Sequence, residues 1–324
     1  MELHIKRTLQ PLIRGRKILF GIGNKGLTRS IPNTDENVQL IKYLNGELTR
    51  NKLNLSDDQL NKKVDELIKI GVITTNKYES DPKYSRNLNF FEWMDMTDNI
   101  DPSIYQKRLF HSYVAVFGVG GIGSAVAECL VRAGVHKIKL IDFDTVEESN
   151  LTRQTAYIEK DVGKEKVEVC AKYLKQINPS VEVKTSHCKI TNTQDIRKNL
   201  TRDIDLIVDC MDKPAELDNW FDEISNLMNI PVIFSSYAST AANVYVKIPG
   251  VTQDYSKFLG KEQITQDCII DNTFPMAAIS SVTVMAAGMS SFNAIMLLTR
   301  LRVPTEAIQI DFDGWTVLKL DVSI

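Results

Sequence analysis

A glycine cluster between an apolar run and a helical pattern constrains the fold of this chain more than any other feature. Residues 113–117 are apolar and predict a buried parallel strand. Residues 124–133 carry apolar side chains at helical spacing, and residues 137–141 predict a second strand that ends at Asp142. The turn after the first strand contains Gly118, Gly120, Gly121 and Gly123. This order is typical of a doubly wound α/β domain that holds a nucleotide phosphate at a helix N-terminus.

The residues after the second strand indicate which chemistry the nucleotide undergoes. Asp142 follows Gly123 by 142 − 123 = 19 positions, close to the ~20 expected for an acid that binds a ribose. Asn150 and Arg153 come next, and Lys166 lies in a further helical pattern. A site that displaces pyrophosphate needs such groups, because negative charge builds on the phosphate oxygens as the bond breaks. The sequence therefore favours attack on a phosphate over hydride transfer from a dinucleotide cofactor.

Four separate segments between residues 118 and 212 identify a family. They read GVGGIG, DFDTVEESNLTRQ, DVGKEKVEV and VDCMD, in that order. With these segments the chain resembles the ThiF/MoeB-type adenylating superfamily, which includes the ubiquitin-activating enzymes. The resemblance implies a Rossmann-like adenylation domain over residues 111–324, which binds ATP and Mg²⁺ and transfers AMP to an acyl group.

The resemblance also implies individual roles. Asp142 would hold the ribose, Asp212 would bind Mg²⁺, and Lys166 would contact the leaving pyrophosphate. Whether Asp144 contacts ATP or only braces its loop is left open by the sequence. The residues expected to bind the nucleotide are Gly118, Gly120, Gly121, Gly123, Asp142, Asp144, Asn150, Arg153, Gln154 and Lys166, and those expected to act in catalysis are Arg86, Arg153, Lys166 and Asp212.

Residues 1–78 form a separate pattern of short strands and two helices, which predicts a small winged-helix-like domain. Alternating stretches at 4–12, 16–21 and 26–31 predict an antiparallel sheet. Asp35 is expected to cap the first helix, and residues 56–60 to open the second with Leu60, Val64, Leu67 and Ile68 on one stripe. The order of elements resembles the PqqD-like peptide clamp of enzymes that modify ribosomal peptides. That resemblance implies a substrate or precursor peptide added as an extra strand; a domain that only supports a dimer is the alternative.

Residues 79–110 are expected to form a linker. Residues 83–87 read KYSRN and are similar to the arginine-containing motif that precedes the adenylation domain in the family. The resemblance implies a homodimer in which Arg86 reaches the ATP of the partner. Lys83 replaces the motif's first arginine, and lysine cannot reproduce bidentate pairing, so only Arg86 is carried over.

The C-terminal half contains a polar stretch at 251–274, which is expected to cross over the active site as a loop. Cys268 lies inside it, and the sequence leaves a nucleophilic role for this thiol open. Many members of the family bind zinc through two C-x-x-C pairs. The chain contains no such pair, so we expect ATP and Mg²⁺ but no zinc.

Composition limits the partners and the cell compartment that we expect for the protein. The net charge of −2 gives no basic field for nucleic acid. No run is expected to be long and apolar enough for a membrane span, and the first residues lack the apolar core of a secretion signal. Five scattered cysteines suit reduced thiols in a cytoplasm.

Among known enzymes, the chain looks most similar to the microcin C-type adenylating enzymes. That likeness implies adenylation of a ribosomally made peptide in antibiotic biosynthesis, with AMP retained or lost after dehydration. The main alternative is adenylation of the C-terminus of a ubiquitin-like sulfur-carrier protein. A DNA-binding regulator with a nucleotide sensor is a third hypothesis, which the balanced charge of the second helix opposes, and a dehydrogenase is the fourth.

Overall fold

A computed structural model describes residues 3–23, 28–75, 82–95, 100–260, 268 and 277–324. The chain divides into two compact units, Met1–Lys107 and Arg108–Ile324. The predictions for residues 24–27, 76–81, 96–99, 261–267 and 269–276, which include most of the expected crossover loop, lie outside the described residues.

The smaller unit contains short antiparallel strands. β1 (His4–Ile5) pairs with β5 (Ile73–Thr74), and a separate sheet has the order β2 (Leu12–Arg14), β3 (Lys17–Phe20), β4 (Arg29–Pro32). The expected single stretch 4–12 is therefore wrong, because a 3-10 turn interrupts it at Arg7–Leu9. The turn between β2 and β3 lies at residues 15–16, later than the gap at 13–15 between the two predicted stretches. Gly15 in this turn adopts φ 59°, a conformation that favours glycine.

Both predicted helices of this unit form, as α1 (Asp35–Leu44) and α2 (Asp57–Lys69). Thr34, not Asp35, caps α1, because its hydroxyl accepts the backbone N–H of Asn37 at 3.3 Å. Ser56 and Gln59 form a reciprocal capping box at the start of α2. Ile68, which was expected on the buried stripe, is 43 % exposed, whereas Leu67 is buried.

Residues 79–110 were expected to form a linker, and the described part of this segment contains two helices. These are α3 (Ser85–Met94) and α4 (Pro102–His111). Leu88 and Phe91 of α3 are buried, and Trp93 packs against the apolar cluster of the smaller unit. Polar and apolar residues are equal in number in this ten-residue helix, and its burial depends on a few aromatic side chains that do not produce a clear periodicity.

The larger unit is a mixed α/β domain. Its described helices are α5 (Gly123–Ala133), α6 (Lys166–Ile177), α7 (Thr193–Lys198), α8 (Leu217–Met228), α9 (Tyr255–Phe258) and α10 (Ser280–Thr299). Its described strands are β6 (Tyr113–Phe117), β7 (Lys137–Asp142), β8 (Glu182–His187), β9 (Leu206–Asp209), β10 (Val232–Ala238), β11 (Ala241–Lys247), β12 (Glu306–Asp311) and β13 (Thr316–Asp321). The doubly wound α/β prediction is confirmed in its main element, a large and mostly parallel sheet.

Within the described residues, the strand order of this sheet is β13-β12-β11-β10-β9-β6-β7-β8. Strands β10, β9, β6, β7 and β8 are parallel, and the rest pair antiparallel. The chain leaves β6 first towards β7 and later returns to β9 on its other side, so the direction of winding reverses at β6. Ligands bind outside the carboxyl ends of the strands at such a reversal.

Both faces of the sheet are covered by helices. Tyr113, Ala115 and Phe117 of β6 join a core cluster with residues of α7 and α8, while α10 packs against α5, β10 and β11. α10 has the length and mean hydropathy of a membrane span, which corrects the expectation that no segment does. Its packing explains the composition: 56 % of its most apolar window is buried inside the domain, as in a core helix.

Candidate nucleotide site

A cavity of about 810 Å³ lies at the carboxyl ends of β6, β7 and β9. It is the place where the reversal of winding predicts a ligand. Of the residues predicted from the sequence, Gly123 begins α5 and does not line this cavity, and Arg86 lies in the smaller unit. The remaining predicted residues line it together: Gly118, Gly120, Gly121, Asp142, Asp144, Asn150, Arg153, Gln154, Lys166 and Asp212.

The glycine loop is tightly folded, and two of its glycines are required by the backbone. Gly118 has φ 80°, and a Cβ atom there would lie 2.8 Å from the carbonyl oxygen of Cys210. A Cβ atom on Gly123 would lie 1.8 Å from the carbonyl oxygen of Gly118. Gly120 has more room, because its Cβ atom would meet Gln154 Nε2 at 3.6 Å. The loop thus carries β6 into α5 with the helix N-terminus beside the cavity, where its N–H groups favour an anion.

Asp142 joins the glycine loop to the loop after β7. Its Oδ2 accepts the backbone N–H of Val119, and its Oδ1 accepts that of Asp144, both at 2.8 Å. Burial raises the pKa of this carboxyl, and the two backbone hydrogen bonds oppose that rise. Each carboxylate oxygen has a second lone pair, so Asp142 can accept a ribose hydroxyl while it braces both loops.

Lys166 forms an ion pair with Asp144 in the cavity wall. The distance from Lys166 Nζ to Asp144 Oδ2 is 2.8 Å, and the two side chains are 6 % and 45 % exposed. The backbone N–H of Lys166 also donates to the carbonyl oxygen of Asp144 at 3.0 Å. The structure thus gives Asp144 a bracing contact, which was one of its two expected roles.

Asn150, Arg153 and Gln154 lie on and just after a 3-10 helix at Glu148–Thr152. Asn150 Oδ1 accepts the backbone N–H of Glu147 at 3.1 Å, and Arg153 Nη1 donates to the carbonyl oxygen of Ser149 at 2.9 Å. Gln154 is buried, and its Oε1 has no hydrogen-bond partner among the described residues. The local bonds of Asn150 and Arg153 fix the backbone, so their remaining donors can face a phosphate.

Asp212 lies in the loop after β9, exposed to solvent at the cavity. The described residues contain no group of three or more His, Cys, Asp or Glu side chains able to cage a metal. Mg²⁺ keeps several waters and binds through one or two carboxylates plus substrate phosphates. One exposed carboxylate beside a phosphate cavity therefore fits Mg²⁺ that arrives with a nucleotide, and does not fit a preformed metal cage.

Sequence reasoning missed several functional neighbours. The buried Tyr157 donates its hydroxyl to the carbonyl oxygen of Val119 at 2.6 Å and so supports the glycine loop. Asp209, at the end of β9, is buried, and burial raises its pKa well above the usual range, with Asp218 and Asp212 adding to the effect. A single sequence marks neither residue, because the bond of Tyr157 joins segments 38 positions apart and the burial of Asp209 depends on the packing around the end of β9.

The charges around the cavity balance. Its lining contains the cations Arg153, Lys166, Lys189 and Lys213, and the anions Asp142, Asp144, Glu147 and Asp212. The ion pair of Asp144 with Lys166 is part of this balance. The attraction for a triphosphate must therefore come from individual hydrogen bonds, the helix N-terminus and a metal ion.

The sequence also singled out two residues away from this cavity. Arg86 is the second residue of α3 and is exposed; its action across a dimer stays a prediction. Cys268 is exposed, and the residues on either side of it lie outside the described ranges.

Comparison with protein families gives a match over most of the chain. The profile of the ThiF family matches residues 84–321. The molybdopterin-synthase adenylyltransferase of Haemophilus influenzae is 34 % identical over 128 residues, which are 40 % of this chain and 51 % of that protein. The ThiS sulfur-carrier adenylyltransferase of Escherichia coli is 26 % identical over 209 residues, which are 64 % of this chain and 80 % of that protein. The chain thus spans about half the length of the first relative.

Solved structures match the whole chain. E. coli MccB with ATP superposes with a TM-score of 0.86 and 25 % identity, covering 100 % of this chain and 97 % of that one. PaaA superposes with a TM-score of 0.78 and 21 % identity, covering 98 % of this chain and 100 % of that one. Both likenesses include the smaller unit, because the coverage of this chain is nearly complete.

Proposed function

The chain belongs to the ThiF family, and we propose on that basis that it is an ATP-dependent adenylyltransferase acting on a ribosomally made peptide. One observation carries the adenylation part of the proposal. The glycine loop, Arg153, Lys166 and Asp212 come from four separate segments and line one cavity. A dinucleotide redox site would use the same glycine loop but has little need for these three side chains.

The proposed reaction joins a carboxylate, or the oxygen of a carboxamide, to the α-phosphorus of ATP. A new oxygen–phosphorus bond forms, the bond to the β-phosphate bridging oxygen breaks, and pyrophosphate leaves. The N–H groups at the start of α5 would hold phosphate oxygens, and Asp142 would hold the ribose. Arg153 and Lys166 would stabilise the charge that builds on the phosphates. Mg²⁺ held by Asp212 and the nucleotide would offset the charge of the leaving pyrophosphate.

The proposed substrate is a peptide, and the smaller unit is its proposed recognition domain over residues 1–78. MccB, which matches the chain over its whole length, has been solved with MccA and with ATP. Within the described residues, β2 is an end strand of its sheet, and Leu12 and Ile13 on it are 50 % and 54 % exposed. An open strand edge with apolar side chains can take an extended peptide as a further strand.

A matched pair of variants tests this recognition. Ile13→Lys places a charge on the exposed end strand of the smaller unit, and Leu318→Lys does the same on the exposed strand β13, where Leu318 is 50 % exposed. We expect Ile13→Lys to weaken peptide binding, measured by fluorescence anisotropy, and Leu318→Lys to leave it unchanged. Equal affinities for both variants would contradict binding at β2.

The proposed assembly is a homodimer in which Arg86 completes the partner's site. Co-expression of Arg86→Ala and Lys166→Met chains tests this arrangement, because a mixed dimer would keep one site with both side chains. Each variant alone is expected to be inactive, and the mixed preparation to recover part of the wild-type rate. A mixed preparation as inactive as its components would show that Arg86 acts within its own chain or outside catalysis.

The second candidate is adenylation of a sulfur-carrier protein, and the identities of the curated relatives favour it. The Escherichia coli relative is the adenylyltransferase of the sulfur-carrier protein ThiS, and the Haemophilus influenzae relative is a molybdopterin-synthase adenylyltransferase. The two candidates share the nucleotide site and differ in the acyl substrate. Activity towards a carrier ending in Gly-Gly, without activity towards peptides, would establish the second candidate.

The deciding experiment is pyrophosphate release from MgATP, followed with mass spectrometry of the acyl substrate. Peptides encoded beside this gene and a Gly-Gly-tailed carrier protein are offered separately, with Lys166→Met as the inactive control. A peptide-dependent burst supports the proposal, and a gain of AMP or a loss of water in the peptide distinguishes the two product types. Absence of release with both substrates would count against adenylation of either one.

A further inference from the structure

His187 makes two contacts at the edge of the nucleotide cavity. It ends β8, where it lies in register with Asp142 of β7. Its Nε2 lies 2.7 Å from the carbonyl oxygen of Phe143, and its Nδ1 lies 2.8 Å from Glu165 Oε1. Phe143 follows Asp142 in the chain, and Glu165 immediately precedes α6. The ring thus connects the loop after β7 with the start of α6.

Both partners of the ring can only accept a hydrogen bond here. A carbonyl oxygen has no proton, and an ionised carboxylate has none either. A neutral imidazole has one N–H and could satisfy only one of the two contacts, whereas the imidazolium has two. The geometry therefore selects the protonated ring, which carries a positive charge beside the cavity.

The contacts of His187 join the same two segments of the chain as the ion pair that lines the cavity. Phe143 precedes Asp144, Glu165 precedes Lys166, and Lys166 Nζ pairs with Asp144 Oδ2 at 2.8 Å. We propose that His187, as an imidazolium, is a positioning residue for nucleotide binding, which holds these two segments together and so keeps Lys166 in place. The inference rests on the proposed nucleotide function of the cavity.

The charged groups near the ring favour its protonation. The hydrogen bond to Glu165 and the one to the carbonyl oxygen of Phe143 raise the pKa of His187, and the charges of Glu165 and Asp142 add to the rise. Asp144 and Lys166, on the same two segments, compensate each other as an ion pair. A raised pKa means that the contact is complete at pH values below the ordinary value near 6.5 and is lost as the pH rises through the raised value.

The test measures the affinity for a MgATP analogue that cannot be cleaved at the α-phosphate, by calorimetry from pH 6 to pH 9. His187→Gln removes the second donor, and Glu165→Gln keeps the shape but removes the negative charge. His111→Gln is the matched control, because His111 precedes β6 at the opposite end of the sheet. In parallel, the imidazole NMR signals are titrated, with that of His187 assigned by its loss in His187→Gln.

The expected result is a pH-dependent ratio of affinities. At pH 6, wild type and His111→Gln should bind the MgATP analogue roughly twofold to fivefold more tightly than His187→Gln does. At pH 9 this difference in affinity should vanish. In Glu165→Gln the midpoint should move to lower pH. Protonation of the nucleotide affects all variants equally, so it cancels in the ratio of their affinities.

Two results would overturn the proposal: a ratio that is constant with pH, or an NMR midpoint for His187 at or below the ordinary value. If wild type fails to bind the analogue, the proposed nucleotide function fails instead, and the NMR midpoint still decides whether the ring is an imidazolium. The two failures are therefore distinguishable.

Discussion

The carbonyl oxygen of Gly118 occupies the position where a side chain at residue 123 would begin. A Cβ atom on Gly123 would lie 1.8 Å from that oxygen, which no small rearrangement can relieve. The close approach brings the end of β6 against the first turn of α5. It makes Gly123 a requirement of the fold, although Gly123 does not line the cavity.

Gly123→Ala and Gly120→Ala are expected to have different effects, because Gly123 is required by the fold and Gly120 lines the nucleotide cavity. Gly123→Ala should lower the free energy of unfolding by about 3 kcal/mol or more, because backbone atoms must move. Gly120→Ala should change it by less than about 1 kcal/mol, since its Cβ atom would meet Gln154 Nε2 at an ordinary 3.6 Å, yet it should weaken nucleotide binding at the cavity wall. Urea unfolding and calorimetry with a MgATP analogue measure both effects; similar stabilities for the two variants would refute the distinction.

Lys166→Met is expected to abolish adenylation without unfolding the protein. Asp144 is 45 % exposed, so its carboxylate can be hydrated once the lysine is gone, and the loss in stability should be about 1 kcal/mol. The rate of pyrophosphate exchange should fall by about 100-fold or more, because a donor to the developing phosphate charge is lost. Lys164→Met is the control, since Lys164 is 51 % exposed and pairs with Asp161, and neither residue lines the cavity. An equal fall in both variants would argue against a special role for Lys166.

Tyr157→Phe is expected to weaken nucleotide binding through the glycine loop. The variant removes the hydroxyl that donates to the carbonyl oxygen of Val119, which should cost about 1 kcal/mol of stability. Tyr173→Phe removes a hydroxyl bound to Glu128 on the far side of α5 and serves as the control. The dissociation constant of a MgATP analogue should rise only for Tyr157→Phe, and an unchanged constant would show that the loop keeps its shape without this bond.

Asp209 is expected to make stability depend on pH. Its pKa is raised well above the usual range by burial, so the folded state binds a proton more tightly than the unfolded state does. The contribution of the protonated carboxyl to stability is fully present below its pKa in the unfolded state. It is lost as the pH rises through its pKa in the folded state. Asp209→Asn keeps an acceptor for the N–H of Met211 and removes the charge. At pH 8 its Tm should exceed that of wild type by about 2 °C or more, with the gap closing at low pH; a gap that is independent of pH would mean that the ionisation of Asp209 does not matter.

Cys268→Ser is expected to leave peptide adenylation unchanged. The proposed reaction passes through an adenylate of the peptide and needs no thiol, and Cys268 is exposed. Intact-protein mass spectrometry after turnover checks the alternative, since a thioester would add the mass of the acyl substrate to wild type and not to the variant. Such an adduct would favour an activating enzyme that transfers its product through a thiol.

The segments of the site that lie close in sequence could be predicted well. The strand, glycine turn, helix and second strand from residue 113 to residue 142 form as expected, because hydrophobic periodicity and glycine placement are local signals. The second helix of the smaller unit also begins within residues 56–60, as expected. The resemblance to known adenylating enzymes then supplied roles that no pattern of periodicity contains.

The parts that could not be predicted depend on contacts between distant residues. Helix α3 forms within the expected linker because Trp93 packs against the apolar cluster of the smaller unit and the buried Phe91 contacts the ring of Tyr105. The pairing of Asp144 with Lys166 and the bridge through His187 each join segments that the sequence separates. A single sequence lists such residues without indicating which of them will meet.

The balance of charges around the cavity has a consequence for how a nucleotide reaches it. Fields from equal numbers of opposite charges cancel beyond a few ångströms, and at physiological ionic strength the Debye length of about 8 Å screens what remains. A triphosphate approaching this cavity is therefore not steered over long distances. Recognition would begin at contact, when individual phosphate oxygens meet individual donors, and the association rate should change little between low and moderate salt.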